Sequence, residues 1–216
     1  MKPKFTIEEV FKTSWKLTKS QIWVLAGLFI GFTILSSIIS LFGTPAEGST
    51  IGTFVVSLIS LIISSLFVLG YYKNLFQTID GEEPQFSAYG QESRKVFTYL
   101  ITNIIYSCIL IIGLILLVIP GIYLALRLQF YTAFIVEENA GIKESLQKSW
   151  KLTEGQTMPL FLILLTTIGI SIIGCIFFFI GLFVAIPLSY MMQCYIFRKL
   201  NTWQKTNIQL DHNVES

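Results

Sequence analysis

Histidine and cysteine, the commonest ligands of transition metals, are scarce in this chain. It has one histidine, His212, and three isolated cysteines, Cys108, Cys175 and Cys194. One histidine excludes four-histidine iron sites and carboxylate–histidine di-iron sites, and isolated cysteines predict neither a disulfide framework nor a zinc site. A serine nucleophile would have no histidine base, and the phosphate-loop sequence Gly-x-x-x-x-Gly-Lys is absent. We therefore expect no metal, no cofactor and no catalytic residue, and hence no enzyme.

Charged residues are also scarce. They make up 13% of the chain, whereas about a quarter of the residues in soluble proteins are charged. Hydrophobic residues make up 53%, and the mean hydropathy is +0.69. Long apolar runs without charge predict an all-α membrane protein, because about 20 residues cross a bilayer as a helix. The longest run has room for two crossings, and the shortest is interrupted only by Arg127. Together the runs predict six transmembrane helices, from residues 21–42, 51–72, 96–119, 121–136 and 157–197.

Positive charges are unevenly distributed among the connections between these predicted spans. Of the 15 Lys and Arg residues, all but Arg127 lie before the first span, after the sixth, or in the connections after spans two and four. The opposite connections, at residues 43–50, at Pro120 and between residues 178 and 187, have none. By the positive-inside rule both termini are cytoplasmic. The first run is too long for a signal-peptide core, so we expect it to be a span.

The sequence Ser-Trp-Lys-Leu-Thr occurs twice, at residues 14–18 and 149–153, each time shortly before an apolar run. Around both copies, apolar and hydroxyl side chains recur on one helical stripe, which predicts amphipathic helices at the membrane surface. Thr6, three residues before Glu9, has the spacing of a capping box at the start of the first helix. A weaker third copy lies at residues 86–99. The pattern indicates an internal repeat.

Four residues of the two surface helices are candidates for contact with lipid or a partner: Trp15, Lys16, Trp150 and Lys151. An indole suits the headgroup layer, where its ring is buried and its N–H stays hydrated. Two interpretations stay open. The helices either seat the bundle at the cytoplasmic surface, or form a docking surface for a partner or for anionic lipid.

We interpret the chain, residues 1–216, as a single membrane domain of three hairpins. Residues 6–72 contain a surface helix with spans one and two, and residues 86–136 contain a connecting segment with spans three and four. Residues 141–200 contain the repeated surface helix with spans five and six, and residues 201–216 form a polar cytoplasmic tail. We expect the tail to fray. Serines between residues 36 and 65 predict close packing of the first two spans.

Arg127 is the only charged residue within a predicted span, about 10 Å along the helix from Pro120. Such a charge is costly and usually faces the bundle interior or a water-filled cavity. No Asp or Glu lies within a span to neutralise it, which favours an anion or lipid from outside the chain. The candidate ligand-binding residues are Arg127, Gln129, Tyr123, Tyr131, Asn103 and Gln193. The alternative is a structural arginine, bonded to carbonyl groups freed at Pro120.

Two further pairs of polar residues have structural interpretations. Asn103 and Gln193 are also suited to hydrogen bonds between helices. Glu137 and Glu138 are adjacent, and adjacent helical positions diverge by about 100 degrees, so joint acid and base chemistry is not expected. We interpret this carboxylate pair as a solvated helix end.

The stretch Ile-Pro-Gly-Ile-Tyr-Leu-Ala-Leu-Arg-Leu at residues 119–128 is followed by Phe-Ile-Val-Glu-Glu at 134–138 and by the second Ser-Trp-Lys-Leu-Thr. Here the chain resembles the membrane-domain family named after glycerophosphoryl diester phosphodiesterases, with related bacterial inner-membrane proteins of unknown function. The resemblance implies a six-helix bundle in the bacterial inner membrane, fused in some relatives to a phosphodiesterase domain. That phosphodiesterase domain is a barrel of roughly 250 residues, which is more than the 216 residues of this chain. We therefore do not transfer the phosphodiesterase activity.

Two functions are expected from these patterns. The first is a non-enzymatic integral inner-membrane protein that organises lipid or a protein partner through its surface helices. The alternative is a carrier or passage for an anionic or lipid-like small molecule that uses Arg127. Expected partners are membrane lipids, with a membrane protein partner or a homo-oligomer as further possibilities, and no nucleic acid.

Overall fold

The computed structural model describes residues 5–43, 50–176 and 181–215, and within these ranges all regular structure is helical. The prediction of an all-α protein is confirmed. A short 3-10 turn, Ser93–Lys95, joins the fourth α-helix to the fifth. The α-helices of the described residues are α1 Ile7–Ser20, α2 Ile22–Gly43, α3 Thr50–Ile79, α4 Ser87–Glu92, α5 Val96–Leu116, α6 Val118–Leu128, α7 Tyr131–Glu138, α8 Ile142–Leu152, α9 Thr157–Ile176 and α10 Leu182–Glu215.

Several of these helices are long and apolar enough to cross a membrane. In the described ranges there are 5 such segments, at Ile22–Leu41, Thr50–Ile79, Ser87–Leu116, Val118–Glu138 and Thr157–Ile176. The sixth predicted span, in α10, is not among them, because α10 begins at Leu182 and reaches Arg198 after a short apolar part that contains Gln193. The apolar helices indicate a membrane-spanning protein.

The packed core lies where the C-terminal half of α3, α7 and the middle of α10 meet. One phenylalanine from each helix marks this point, since the Phe197 ring lies 5.7 Å from that of Phe76 and 4.9 Å from that of Phe134. Away from this core the helices expose large apolar side chains, such as Ile51 at 76% and Ile115 at 79%. Apolar exposure on this scale is costly in water and is typical of a surface that faces lipid.

The chain reverses direction between α5 and α6 at Leu117, whose backbone is extended, and not at Pro120 as predicted. Pro120 lies in the first turn of α6, where a missing N–H leaves no hydrogen bond unmade. The reversal is tight because Gly113 and Gly121 let the two backbones touch, since a Cβ added at Gly113 would lie 3.1 Å from the Gly121 Cα. Gly174 and Gly181 make the same kind of contact between α9 and α10. The other predicted connections, near residues 43–50 and 178, fall largely outside the described residues.

The serines of α2 and α3 do not pack these helices closely together. Ser37, Ser57 and Ser60 each donate a hydrogen bond of 2.8 Å to a carbonyl one turn back in their own helix. With neighbouring hydroxyl side chains, Ser57 and Ser60 line a groove of about 490 Å³ between α2 and α3. The prediction of close packing is wrong along this groove, because a serine on a helix can satisfy its hydroxyl locally.

The tail expected to fray is helical, since α10 continues to Glu215. Two contacts near its start help to explain the difference. Asn201 donates a hydrogen bond of 2.9 Å to Glu138, and Lys205 forms an ion pair of 2.7 Å with the same carboxylate. The prediction of fraying from residue 201 is therefore wrong.

Candidate functional site

The helix that carries Arg127 is interrupted by side chains of the second surface helix, α8. Residues 129–130 separate α6 from α7, and a continuous helix would pair the Phe130 N–H and the Arg127 carbonyl within itself. Instead, the Phe130 N–H donates to the Ser149 hydroxyl at 3.1 Å. The Arg127 carbonyl accepts from the hydroxyls of Ser149 at 3.0 Å and Thr153 at 3.1 Å. Insertion of a side chain into the helical ladder is an established cause of a break.

The Arg127 guanidinium is covered by aromatic rings. The residue is 4% exposed, and its Cζ lies 4.3 Å from the centroid of Trp150 and 5.9 Å from that of Tyr123. A cation over a desolvated indole gains about 2 kcal/mol. In the described part of the chain, the guanidinium has no ion pair, and its Nε has no hydrogen-bond partner. Arg127 thus stacks on the surface helix, and the carbonyl groups freed near it lie at the break, far along the helix from Pro120.

Of the other predicted ligand residues, only Tyr123 joins Arg127. Its ring stands edge-on to Trp150 at 6.0 Å. Gln129 lies at the break, but its side-chain amide donates to the Leu126 carbonyl at 3.0 Å. Gln129 therefore caps the end of α6, and its amide nitrogen is engaged there.

The remaining three predicted ligands form hydrogen bonds between helices. The Asn103 amide donates to the Tyr131 hydroxyl at 2.7 Å, joining α5 to α7. The Tyr72 hydroxyl donates to the Gln193 side-chain oxygen at 3.1 Å, joining α3 to α10. The six predicted ligand residues therefore do not form one site. The interpretation of Asn103 and Gln193 as hydrogen-bonding links between helices fits their geometry.

These links belong to a cluster of tyrosines that the sequence reasoning did not identify. The Tyr131 ring lies 5.0 Å from Tyr106 and 6.1 Å from Tyr99, while Tyr190 contacts Tyr72 at 5.7 Å. The cluster draws on α3, α5, α7 and α10, which are far apart in sequence. The one available signal was the spacing of Tyr99 and Tyr106, seven residues apart on a single helical face.

The two copies of the repeated motif present similar outer faces. Trp15 is 42% exposed and Trp150 is 38% exposed, and Lys16 and Lys151 are exposed beside them. The copies differ in their contacts, because Trp150 also covers Arg127, whereas Trp15 has no ring or cation contact in the described residues. These four candidates therefore lie where lipid or a partner could reach them.

The inner faces of the two copies differ more. Ser14 and Thr18, the counterparts of Ser149 and Thr153, are fully buried, yet their hydroxyls have no hydrogen-bond partner in the described residues. α1 packs mainly on α10, which is continuous from Leu182. Beyond Pro187, α10 is an unbroken helix that pairs its carbonyl and N–H groups within itself and has none to offer. The same motif therefore holds a broken helix in one copy and faces an intact helix in the other.

An ion pair fastens α1 to α10. Lys199 pairs with Glu9, which also accepts a hydrogen bond of 3.2 Å from the Tyr195 hydroxyl. The bond from Lys199 lowers the pKa of the Glu9 carboxyl below its ordinary range. At the start of α1, the Thr6 hydroxyl accepts from the Glu9 N–H at 3.3 Å, as predicted from the capping spacing.

The carboxylate pair at the end of α7 is not a solvated helix end. Glu137 forms an ion pair of 2.7 Å with Arg198 of α10. Glu138 pairs with Lys148 of α8 at 2.9 Å and with Lys205 of α10 at 2.7 Å. The interpretation from sequence is wrong here, since the positive partners come from helices that follow in the chain.

A groove of about 650 Å³ lies between α2, α3 and α4 and is almost wholly apolar. Gly27 and Gly31 form part of its wall, and a Cβ added to either would meet nothing within 4 Å. Neither this groove nor the serine-lined one includes Arg127, Tyr123 or Trp150. Among the described residues, no group of three or more His, Cys, Asp or Glu side chains could hold a metal ion.

Comparison with known proteins gives relatives whose names state no function. The chain is 24% identical over 161 residues to uncharacterized proteins of Mycobacterium tuberculosis (Rv2560) and Mycobacterium bovis (Mb2590), covering 74% of this chain and 49% of each relative. It thus spans about half the length of these curated relatives. No solved structure matches it significantly. None of these findings confirms the resemblance to the glycerophosphoryl diester phosphodiesterase membrane domain.

A family described as a domain of unknown function, DUF7847, matches residues 87–210. The matched region contains α4 to α9 and most of α10, and with them the Arg127 break and the second copy of the motif. Since this match covers more than half of the 216 residues, the chain belongs to the DUF7847 family.

Proposed function

We propose that this protein is a non-enzymatic integral membrane protein that organises membrane lipid or a protein partner through α1 and α8. The observation that carries the proposal is the way α8 is built into the bundle. Its outer face exposes Trp150 and Lys151, while its inner face inserts the Ser149 hydroxyl into the break at Arg127. A ligand held on the outer face would therefore act directly on the packing of α6 and α7.

We place both termini in the cytoplasm and count six crossings of a bacterial inner membrane. Ion pairs support an even number of crossings between the segments that they join. Arg198 pairs with Asp80 at 2.9 Å and with Glu137 at 2.7 Å, and Lys199 pairs with Glu9. Asp80 follows the second predicted span, Glu137 the fourth, and Arg198 and Lys199 the sixth. Glu9 precedes the first span. Because these residues contact one another, they must lie on the same side of the membrane. The assignment to the inner membrane rests on the resemblance described above.

The internal repeat and the three hairpins belong to the same proposal. α8 packs on α7, and α1 packs on α10, so each surface helix lies on the helix that would close a hairpin. In both copies the motif's serine and threonine are buried and its tryptophan is partly exposed. These parallels support a duplicated unit, because equivalent residues have equivalent burial.

The test of the proposal replaces both exposed indoles. Trp15→Ala combined with Trp150→Ala should lower retention of phosphatidylglycerol about thirtyfold, since each partly buried indole contributes on the order of 1 kcal/mol of apolar contact. Retention is measured by native mass spectrometry of protein extracted from its own membrane, with co-purified polypeptides recorded in the same spectra.

The control for this test is Trp203→Ala, which removes an exposed indole outside both motifs. Circular dichroism should show that all variants are folded. The single variant Trp15→Ala leaves the cover of Arg127 in place and should account for part of the loss. If the double variant retains lipid and polypeptide partners as well as the control does, the surface helices are not the contact face.

Transport or passage of an anionic small molecule is a second candidate function. The observation in its favour is the buried Arg127 guanidinium, which has no counter-charge in the described residues. Transport is the weaker candidate function because Arg127 lines none of the described grooves.

Arg127→Ala tests the carrier directly. Inorganic phosphate at tenfold its dissociation constant would stabilise the wild type by about 1.4 kcal/mol, and this gain should vanish in Arg127→Ala while circular dichroism shows an intact fold. Arg127→Lys, which keeps the charge, should retain part of the gain. An equal gain in wild type and Arg127→Ala would remove Arg127 from any anion site.

A further inference from the structure

A small cleft of about 250 Å³ opens between α7, α8 and α10, away from Arg127. The Phe134 ring and the Glu138 carboxylate form its α7 side. Its other walls are polar, and they are contributed by α8 and by the part of α10 beyond residue 200. The residues on these walls are Lys148, Lys151, Asn201, Gln204 and Lys205.

The cleft carries more positive than negative charge. Three lysines line it, against the single carboxylate of Glu138. Lys148 and Lys205 both pair with Glu138, at 2.9 and 2.7 Å, and Lys148 also pairs with Glu144, outside the cleft, at 2.7 Å. Even when both carboxylates are counted, one positive charge is left over.

Two donors in the cleft are unpaired within the part of the chain that the structure describes. Lys151 is exposed, and neither Lys151 nor Gln204 has a hydrogen-bond or ion-pair partner in the described residues. The ammonium groups of Lys148 and Lys205 are held in place by Glu138, so they need little reordering to meet a ligand. Fixed cationic donors around a small space suit an anionic oxygen group, because charge-assisted hydrogen bonds are the strongest class.

The place of the cleft in the fold favours phosphate as that group. Lys148 and Lys151 flank Trp150 on α8, the surface helix proposed to lie at headgroup depth. Phosphate is the anionic group at that depth, and each lysine near an anionic membrane surface contributes about fivefold to binding. A carboxylate ligand would suit the charges equally, but the membrane surface supplies phosphate in far higher local amount.

We propose that the cleft between α7, α8 and α10 binds a phosphate group through Lys148, Lys151, Gln204 and Lys205, as the headgroup of an anionic phospholipid or as a soluble phosphate. The inference rests on the proposed function, which it deepens by naming the ligand class and its site. Asn201 stays bonded to Glu138 at 2.9 Å and helps to hold the carboxylate that orders Lys148 and Lys205.

The experiment uses the full chain in detergent micelles, titrated with phosphatidylglycerol, with phosphatidylcholine and, separately, with inorganic phosphate. Binding is followed by native mass spectrometry. The test variant is Lys151→Gln with Lys205→Gln, which neutralises two lysines and leaves Lys148 on its carboxylates. The matched control is Lys73→Gln with Arg94→Gln, which neutralises two positive side chains outside α1 and α8 that do not line the cleft.

The expected result is a loss of about twenty-five-fold in affinity in the test variant, the product of about fivefold for each lysine, and no comparable loss in the control. If phosphatidylglycerol shows this loss and phosphatidylcholine does not, the ligand is the lipid headgroup. If inorganic phosphate alone shows it, the ligand is soluble. Equal affinities of test and control variants for every probe overturn the proposal.

Failure of this inference is distinguishable from failure of the proposed function. Lipid retention that depends on Trp15 and Trp150 but not on Lys151 and Lys205 would remove the cleft and leave the surface helices as the contact face. A third variant, Gln204→Leu, keeps every charge and should weaken phosphate binding severalfold by removing one neutral hydrogen bond. If Gln204→Leu binds phosphate as tightly as the wild type while Lys151→Gln with Lys205→Gln loses the expected affinity, Gln204 is not a ligand.

Discussion

Ser149→Ala is expected to destabilise the protein by about 1–2 kcal/mol, whereas Ser14→Ala, the same change in the first copy of the motif, should be neutral or stabilising. The Ser149 hydroxyl is the hydrogen-bond partner of the buried Phe130 N–H. Alanine leaves that donor unpaired, and the Arg127 carbonyl keeps only Thr153. Within the residues that the structure describes, the buried Ser14 hydroxyl has no hydrogen-bond partner to lose.

Thermal unfolding in a mild detergent, followed by circular dichroism, measures this difference. For a chain of this size, each 1 kcal/mol corresponds to about 2–4 °C in the unfolding midpoint. The first copy is a close internal control, since both serines are fully buried within the same five-residue sequence. Equal losses in Ser149→Ala and Ser14→Ala would show that the break does not depend on the inserted hydroxyl.

Gly181→Ala should destabilise the contact of α9 with α10 by about 3 kcal/mol, near the upper end for overpacking. A Cβ added there would lie 2.7 Å from both the Cα and the carbonyl oxygen of Gly174. Both atoms belong to backbone, so no side chain can move aside to make room. The helices must separate, and they lose the close approach that small residues allow between apolar helices.

The matched control is Gly169→Ala, on the same helix as Gly174, where an added Cβ meets nothing within 4 Å. Within a helix this change should be neutral or stabilising by up to about 1 kcal/mol, because alanine has the higher helix propensity. Unfolding midpoints in the same detergent compare the two variants. A Gly181→Ala protein as stable as Gly169→Ala would mean that the two backbones do not touch at Gly174.

The two predictions test what gives the bundle its shape. In lipid, apolar side chains gain little by leaving the membrane for a helix interface, so close packing and hydrogen bonds decide which helices associate. Gly181→Ala tests the contribution of close packing, and Ser149→Ala tests the contribution of hydrogen bonds. If Gly181→Ala separates a hairpin while Ser149→Ala mainly loosens α8, the surface helix is a separable element of the fold, as a lipid- or partner-responsive helix should be.

The helical class, and five segments of the described residues that are long and apolar enough to span a membrane, could be predicted from sequence because they depend on local properties. A long apolar run without charge must satisfy its backbone within itself in lipid, which selects a helix wherever such a run occurs. α1 and α8 could be predicted for the same reason, since a repeated stripe of apolar and hydroxyl residues defines an amphipathic helix by itself.

The site could not be predicted in this way because its contacts join distant segments. The sequence identified Arg127 as an anomalous charge but suggested an anion or Pro120 as its partner, whereas the structure places it against Trp150. The signal was present, because the motif that contains Trp150 occurs twice. Which helix each copy would face was not contained in the motif.

By itself, then, the sequence determined where helices form and which of them are apolar enough for a membrane, because periodicity and hydropathy act over neighbouring residues. Only the tertiary structure decided that one copy of the motif holds a broken helix while the other faces the intact α10. It also decided that Glu138 gathers lysines from α8 and α10 around one cleft. These outcomes depend on hydrogen bonds and ion pairs between residues far apart in the chain, which exist only once the helices have packed.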